Sequence, residues 1–236
     1  GIGFLYAFGP SGIIYALAIS YAGYLIRIIK TFQEVPINFK LIKEKSSFLS
    51  HNYIMYLAGS FGNQLDKIVV MPLLGSAVLG NYTLALQVVT VFTMFTTILF
   101  KFLLPQESSG IQNKFLIQIV IIISVIVSVL GIFLSPLVIP NFFPKYVDAG
   151  VAIQIMSLSI IPITINTICT SRLLSKEKSK LVLIGNLIGL IIIILGILTL
   201  GSMYGTIGIA ISFVLSSISK ATYLGLAVKK YERSIN

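Results

Sequence analysis

The chain has 236 residues, of which 56% are hydrophobic and only 10% charged, and its mean hydropathy is +1.00. Soluble domains carry about 25% charged residues, so this composition predicts a protein embedded in lipid. One cysteine, Cys169, and one histidine, His51, exclude a disulfide framework and a multi-histidine metal site. The net charge of +10 does not indicate nucleic-acid binding, because the basic residues lie between apolar runs and form no face with interleaved aromatics.

Seven segments are long and apolar enough to cross the hydrocarbon core, which takes about 20 helical residues. They cover roughly 4–29, 48–73, 78–104, 115–139, 149–174, 181–201 and 204–228. Backbone groups in lipid need internal partners, so we expect helices even where Ile and Val dominate. The predicted fold is all-α, a polytopic membrane protein with about seven transmembrane helices. The chain begins at Gly1 in an apolar run without a signal-peptide pattern, so we expect it to be cut from something longer.

Basic residues are distributed unequally among the connections between these spans. The connections after spans one, three, five and seven hold 11, and Arg27, Lys101 and Arg172 near the ends of spans one, three and five bring this side to 14 of the 17 Lys and Arg residues. The intervening connections hold only Lys145. The positive-inside rule therefore predicts a multi-pass protein of the cell membrane with a cytoplasmic C-terminus.

Prolines and tyrosines add detail to the span boundaries. Pro162 falls inside span five, where it should kink the helix and free a backbone carbonyl. Other prolines are expected to mark span ends, namely Pro36, Pro105, Pro136, Pro140 and Pro144. Tyrosines near span ends are typical of an interfacial belt, and they are Tyr6, Tyr53, Tyr82, Tyr146, Tyr204 and Tyr231.

Spans one and seven share a glycine-containing pattern. Four pairs of identical residues have the same offset of 196 positions: Gly9 and Gly205, Gly12 and Gly208, Ile13 and Ile209, Ser20 and Ser216. That offset holds six spans, so it predicts that span one closes one six-helix unit and that spans two to seven form the next. Chance is the alternative, since aromatic-Gly-x-x-Gly is frequent in glycine-rich membrane chains. The predicted parts are 1–30, a helix of a truncated N-terminal lobe; 31–47, a cytoplasmic linker; and 48–236, a six-helix C-terminal lobe.

Three spans carry polar residues on one helical face, at steps of three or four positions. They are Asn52, Tyr56, Ser60, Asn63 and Lys67 in span two; Thr83, Gln87, Thr90, Thr97 and Lys101 in span three; and Ser212, Ser216, Ser219 and Tyr223 in span seven. Such groups face a protein interior or a water-filled cavity, although Ser and Thr also join packed helices. We interpret the span seven stripe, and the motifs Gly185-x-x-x-Gly189 and Gly201-x-x-x-Gly205, as helix packing. For span two, where Gln64 and Asp66 flank the stripe, we favour an aqueous cavity.

Spans four and six have no such stripe and are expected to be lipid-facing or scaffold helices. Three charged residues inside spans leave alternatives open. Lys67 either reaches the outer headgroups by snorkelling or lines the cavity, and the same choice applies to Lys220 at the inner side. Asp66 either pairs with a basic residue on another helix or binds a coupling cation or proton. No phosphate-binding loop, metal-ligand cluster or nucleophile elbow occurs, so we expect no enzyme, no cofactor and no metal site.

Five segments together resemble a known family. Residues 62–70 and 74–85 carry Asp followed by an apolar run, Leu-Gly, and Val-x-Gly-x-Tyr-x-x-Ala. This pattern resembles polysaccharide-biosynthesis flippases of the multidrug/oligosaccharidyl-lipid/polysaccharide exporter superfamily. Residues 143–149, 173–180 and 204–210 are similar to later segments of the same family. The resemblance covers nearly the whole chain, as helix six plus the C-terminal lobe of a two-lobe exporter fold, and helices one to five are absent.

The resemblance implies flipping of a lipid-linked oligosaccharide across the membrane by alternating access, with the headgroup in a polar cavity and the lipid tail in the bilayer. A fragment without the first lobe is expected to be inactive by itself. The implied substrate-binding residues are Asn63, Gln64, Asp66, Lys67, Thr83 and Gln87, with Lys67 for the (pyro)phosphate and Asp66 as its charge partner or as the ion-coupling site. The expected partners are the lipid-linked glycan, the bilayer, and a glycan polymerase or glycosyltransferases. The alternatives are a multidrug or cation antiporter of the same superfamily, and a non-transporting membrane scaffold.

Overall fold

The structure is a computed structural model that describes residues 4, 8, 9, 11–34, 46–109 and 114–233, and their side chains except at 13, 26, 32–34, 46–63, 114, 232 and 233. All regular structure in this part of the chain is helical, and it contains no strand. The chain divides into two compact units, Gly1–Ile54 and Met55–Asn236. The expectation of an all-α protein is confirmed for the described residues.

The helices follow one another in chain order. They are α1 (Ser11–Glu34), α2 (Ser46–Phe92), α3 (Met94–Ser108), α4 (Lys114–Phe142), a 3-10 turn (Pro144–Tyr146), α5 (Val147–Ser157), α6 (Ile160–Ser175), α7 (Ser179–Gly196), a π-helical turn (Ile197–Gly201) and α8 (Ser202–Arg233). The first unit contains α1, which follows a turn where Gly9 has a φ of 62° and accepts a 3.0 Å hydrogen bond from the backbone N–H of Gly12. The second unit contains most of α2 and all later helices.

The helix α2 reverses direction at Gly75, whose φ of 84° and ψ of 173° are not helical. Across this residue the Tyr82 hydroxyl donates a 2.6 Å hydrogen bond to Asp66. Residues sixteen positions apart in a straight helix would be separated by about 24 Å along its axis. The short bond therefore requires the two arms of α2 to pack as an antiparallel hairpin, at the boundary expected between spans two and three.

A second hairpin joins α7 to α8, with its turn at Gly205, where φ is 56°. A methyl group added at Gly185 would lie 2.9 Å from Leu224, whereas one at Gly201 would lie 3.4 Å from Ile209. A higher residue number on α7 contacts a lower residue number on α8, so the two helices run antiparallel. Gly185 and Gly201 thus permit the close approach that their motifs predict. Gly205 instead forms the turn, and it has a positive φ like Gly9, its counterpart in the proposed repeat.

The helices α5 and α6 form one bent rod, with an angle of 47° at Leu158–Ser159. Pro162 lies one turn further along, on α6. A proline has no N–H for the carbonyl four residues earlier, which here is that of Leu158, and its ring crowds that carbonyl. The predicted kink at Pro162 therefore occurs one turn earlier in the chain, at Leu158–Ser159.

Of the prolines expected to mark span ends, Pro144 begins the turn that follows α4, Pro36 lies outside the described residues, and the other three lie inside helices. Pro105 is within α3, and Pro136 and Pro140 are within α4. At Pro136 the carbonyl that loses its helical partner is that of Ile132, and the Gln154 side chain donates a 3.1 Å hydrogen bond to it. A neighbouring helix can thus satisfy the freed group, as is common in membrane proteins.

The helix α4 has its polarity reversed relative to a helix of a soluble protein. Its serines are buried: Ser128 donates to the carbonyl of Ser157 (2.8 Å) and Ser135 to that of Gly150 (3.2 Å). Large apolar side chains point outward, for example Ile126, 53% exposed, and Phe133, 70% exposed. Contiguous exposed apolar surface of this extent marks contact with lipid or another protein. Because the rest of α4 is also apolar, we assign this face to lipid.

By length and composition, three described helical stretches suffice to cross a membrane: Gln64–Phe92, Phe115–Phe142 and Ser179–Tyr231. This count takes each hairpin as one stretch, since the turns at Gly75 and Gly205 lie inside the first and the third. The bent pair α5–α6 is a fourth if it is counted as one span. A membrane-embedded helical protein is therefore supported, while the number of seven spans stays a prediction. Span three is also interrupted, since Thr93 separates α2 from α3.

Candidate functional site

The second unit contains a cavity of about 910 Å³ between α2, α3, α6, α7 and α8. Its polar lining comes from all five helices: Gln64, Asp66, Lys67, Thr90, Thr96, Thr97, Asn166, Thr167, Thr170, Asn186, Ser216, Ser217 and Lys220. The remaining wall is apolar and includes Leu86, Phe100, Ile163, Leu187, Leu190 and Phe213. Ligand pockets in proteins are commonly about 300–1,000 Å³, so this cavity is large enough for a phosphate-bearing headgroup.

Asp66 is held at the α2 hairpin by two hydrogen bonds. Its side chain is buried, one carboxylate oxygen accepts the 2.6 Å hydrogen bond from Tyr82, and the other accepts a 2.8 Å bond from the backbone N–H of Lys67. An O–H···O⁻ bond of this length is typical of a charge-assisted bond. Among the described side chains Asp66 forms no ion pair, so the pairing with a basic residue on another helix is absent there.

The sequence did not predict Tyr82 as the hydrogen-bond partner of Asp66. Its position near a span end favours the interfacial belt, yet it is 0% exposed, so that expectation is wrong. The Gly75 turn folds Tyr82 back onto the first arm of α2, where the buried carboxylate provides its hydrogen-bond acceptor. The signal in the sequence is an Asp and a Tyr sixteen positions apart, with a glycine near the midpoint where the chain can turn.

The Lys67 ammonium lies on the cavity wall. It donates a 3.0 Å hydrogen bond to the Gln64 side chain, one turn earlier on the same helix. An ammonium group has three donors, and no ion pair of Lys67 occurs among the described side chains. Its remaining donors are therefore suited to an anionic ligand in the cavity.

Lys220 contributes a second positive charge to the same cavity, from α8. Its aliphatic stem packs over Gly189 of α7, where an added methyl group would lie 3.7 Å from Cβ of Lys220. Beside it, Ser216 donates a 2.7 Å hydrogen bond to the Gly189 carbonyl. The span seven stripe thus serves helix packing through Ser216, as expected, and also supplies part of the cavity wall.

The two lysines lie at different depths. An added methyl group at Gly201 would lie 3.3 Å from Leu74, so the turns of both hairpins are at the same end of the unit. Lys67 is eight residues from its turn and Lys220 fifteen from its own, which corresponds to about 12 Å and about 22 Å along the helices. Their separation along the helix axes is therefore roughly 10 Å.

The other predicted binding residues, Thr83, Gln87 and Asn63, are not placed in the cavity by the structure. Thr83 and Gln87 are not among the cavity-lining residues, and Gln87 is exposed. On this arm of α2 the wall is formed by Leu86 and Thr90, a face centred about 80° from Gln87. The Asn63 side chain lies outside the described residues.

Part of the cavity wall was not predicted from the sequence. Asn166, Thr167 and Thr170 of α6 line the cavity, and the Asn166 side chain donates a 3.3 Å hydrogen bond to the carbonyl of Ser217. Their spacing of one to four positions is a polar stripe of the kind identified in the other spans. The α7 helix, in span six, has both kinds of surface: Asn186 and its apolar neighbours form cavity wall, while Ile184 and Ile191 are exposed as expected of a lipid-facing helix.

One ion pair of the described residues lies outside the cavity. The Nε of Arg172, near the end of α6, is 3.3 Å from the Glu107 carboxylate near the end of α3, and the Glu107 side chain is only 5% exposed. This pair joins two helices that are far apart in sequence.

Comparisons of the chain with models of protein families, with curated proteins and with solved structures found no match. The family resemblance therefore stays a prediction. Within the described residues no group of three or more His, Cys, Asp or Glu side chains is arranged to hold a metal ion.

Proposed function

We propose that this chain is part of a flippase that moves a lipid-linked oligosaccharide across the cell membrane by alternating access. In this proposal it spans the membrane seven times, as one helix of a first lobe and six helices of a second, with a cytoplasmic C-terminus. The residues that line the cavity form the surface along which the phosphate-bearing headgroup moves.

The observation that carries the proposal is the charge of the cavity. Lys67 and Lys220 line it without an ion-pair partner among the described side chains, while both oxygens of Asp66 already accept hydrogen bonds. With one carboxylate against two ammonium groups, the lining carries a net positive charge. In a partly dehydrated cavity such charges act more strongly than in water, so the cavity favours an anionic headgroup such as a diphosphate.

The distribution of polarity supports an amphiphilic cargo. The cavity lining is rich in hydroxyl and amide groups, whereas the outer face of α4 is apolar. A glycan headgroup finds hydrogen-bond partners inside, and a polyprenyl tail finds its favoured environment in the bilayer. The roughly 10 Å between the depths of the two lysines supports stepwise movement of the phosphate from one to the other.

The competing transporter class is a cation exporter, which requires a carboxylate available to a cationic substrate. Asp66 is the candidate, but each of its carboxylate oxygens already accepts a hydrogen bond, one from Tyr82 and one from the Lys67 backbone. The cavity therefore favours the anionic cargo. A membrane scaffold has no need of two half-buried lysines that line a cavity.

The test uses Lys67→Gln and Lys220→Gln, each introduced into the chromosomal gene so that the protein is otherwise intact. Loss of one charged contact of about 1.5 kcal/mol corresponds to roughly a tenfold effect. We expect at least this reduction in surface glycan, with accumulation of the lipid-linked precursor and unchanged protein abundance. Lys145→Gln, at an exposed lysine outside the cavity, is the matched control and is expected to behave as wild type.

Normal surface glycan in both single variants and in the double variant would refute the proposal. A cation exporter predicts instead that Asp66→Asn changes efflux of a cationic dye and leaves the glycan unchanged. A scaffold predicts that the cavity variants and Lys145→Gln behave alike.

A further inference from the structure

The connection between α6 and α7 and the end of α8 together form a strongly basic surface outside the cavity. It consists of five exposed lysines, Lys176, Lys178, Lys180, Lys229 and Lys230. The antiparallel α7–α8 hairpin brings these positions to the same end of the unit, because the beginning of α7 lies beside the end of α8. We refer to these five residues as the lysine surface.

The backbone of the connection is held in a defined turn. The N–H of Glu177 donates to the carbonyl of Leu174 (3.0 Å), and the N–H of Lys178 donates to that of Leu173 (2.8 Å). Glu177 has a φ of 57°. These two bonds and the left-handed residue define a Schellman motif, which ends α6 and caps its last carbonyls. The turn therefore presents its lysines in a fixed arrangement.

A side-chain contact joins the turn to α8. The Lys178 ammonium lies 5.1 Å from the centre of the Tyr231 ring, a distance suited to a cation–π interaction. Tyr231 directly follows Lys229 and Lys230 on α8. The contact thus keeps the lysines of the turn beside those of α8 in spite of their mutual repulsion.

Lipid-facing apolar residues begin within one to two turns of this surface. On α7 Ile184 is 43% exposed, and on α8 Leu226 is 63% exposed. A phospholipid whose acyl chains lie against these residues would have its headgroup at the level of the lysines. The opposite end of the α5–α6 rod has a single lysine, Lys145, together with Asp148.

We propose that the lysine surface binds the headgroups of anionic phospholipids in the leaflet where α6 ends and α7 begins. Lysines clustered next to membrane-spanning helices attract anionic headgroups through Coulomb forces, and each contributes about a fivefold factor in affinity near the surface. Glu177 is the carboxylate within the turn, so the surface carries a clear positive excess. The proposal depends on membrane embedding and not on the identity of a transported cargo.

The experiment measures binding of dioleoylphosphatidylglycerol and, for comparison, dioleoylphosphatidylcholine to the purified full chain in detergent, by native mass spectrometry. We expect the anionic lipid to bind at least about tenfold more tightly than the zwitterionic one, with a preference that weakens as ionic strength rises. In the triple variant Lys176→Gln, Lys178→Gln, Lys180→Gln the affinity for the anionic lipid should fall by roughly tenfold or more. The double variant Lys229→Gln, Lys230→Gln should also lower the affinity for the anionic lipid.

Two control variants make the test specific. Lys145→Gln removes an exposed lysine from the other end of the α5–α6 rod and should leave lipid binding unchanged. Glu177→Gly removes the carboxylate and suits the left-handed backbone, so it should increase anionic-lipid affinity. Equal affinity for both lipids in the wild-type protein would overturn the proposal, as would an equal loss of binding in Lys145→Gln and the triple variant. Circular dichroism of each variant verifies that helix content is retained.

Discussion

Tyr82 donates a 2.6 Å hydrogen bond to Asp66 across the Gly75 turn, and neither side chain is appreciably exposed. This bond joins the two arms of the α2 hairpin, one of which carries Lys67 on the cavity wall. It therefore stabilises the hairpin and gives the buried carboxylate a donor, while Asp66 forms no ion pair among the described side chains.

Tyr82→Phe should destabilise the protein, because it leaves a buried carboxylate oxygen without its donor. The expected loss is about 1–3 kcal/mol, measured as a decrease in the thermal unfolding midpoint in detergent. Tyr146→Phe is the control, since Tyr146 is 38% exposed and its change should have little effect. Combining Tyr82→Phe with Asp66→Asn tests the coupling directly. If the double variant loses the sum of the two single losses, the residues do not interact as described.

Gly75→Ala should destabilise the hairpin, because its φ of 84° and ψ of 173° lie in a region that is essentially restricted to glycine. The expected cost is about 1–3 kcal/mol, again measured by thermal unfolding. Gly225→Ala provides the comparison: this glycine lies in regular helix of α8, and an added methyl group would meet nothing within 4 Å. Alanine there should be neutral or stabilising. A Gly75→Ala variant as stable as Gly225→Ala would contradict the assigned turn.

Glu107→Gln should weaken the contact between α3 and α6. The substitution preserves shape but removes the negative charge that lies 3.3 Å from the Arg172 guanidinium. Loss of a hydrogen bond between charged groups costs about 1.5–3 kcal/mol, and the lower end is expected since Arg172 is partly exposed. Thermal unfolding measures the change, and Lys101→Gln, at an exposed position of α3, serves as the control. Equal stability of both variants would show that the pair contributes nothing.

Lys145 and Lys178 should be accessible from opposite sides of the membrane. They lie at the two ends of the α5–α6 rod, beyond Val147 and Ser175. Single-cysteine variants at these positions, in a protein in which Cys169 is replaced by Ala, should react with a membrane-impermeant maleimide from opposite faces. Because Cys169 is the single cysteine of the chain, its replacement leaves a protein without cysteine for these labelling variants. Reaction of both cysteines from the same face would refute the topology.

The amino-acid composition determined that the chain is helical and apolar enough for a membrane, because only helices satisfy the backbone in lipid. The predicted span bounds also located the break between spans two and three, since Gly75 falls in the connection at 74–77. The polar residues of span two likewise identified Gln64, Asp66 and Lys67, which the structure brings to one cavity.

Only the tertiary structure decided which groups meet. A periodic stripe defines a helical face but not the direction in which that face points, so Thr90 lines the cavity while Gln87 of the same stripe does not. The partner of Asp66 was equally hidden, because Tyr82 reaches it only after the chain reverses at Gly75. Helical periodicity is a property of neighbours in sequence, whereas these pairings depend on how whole helices rotate and pack against one another.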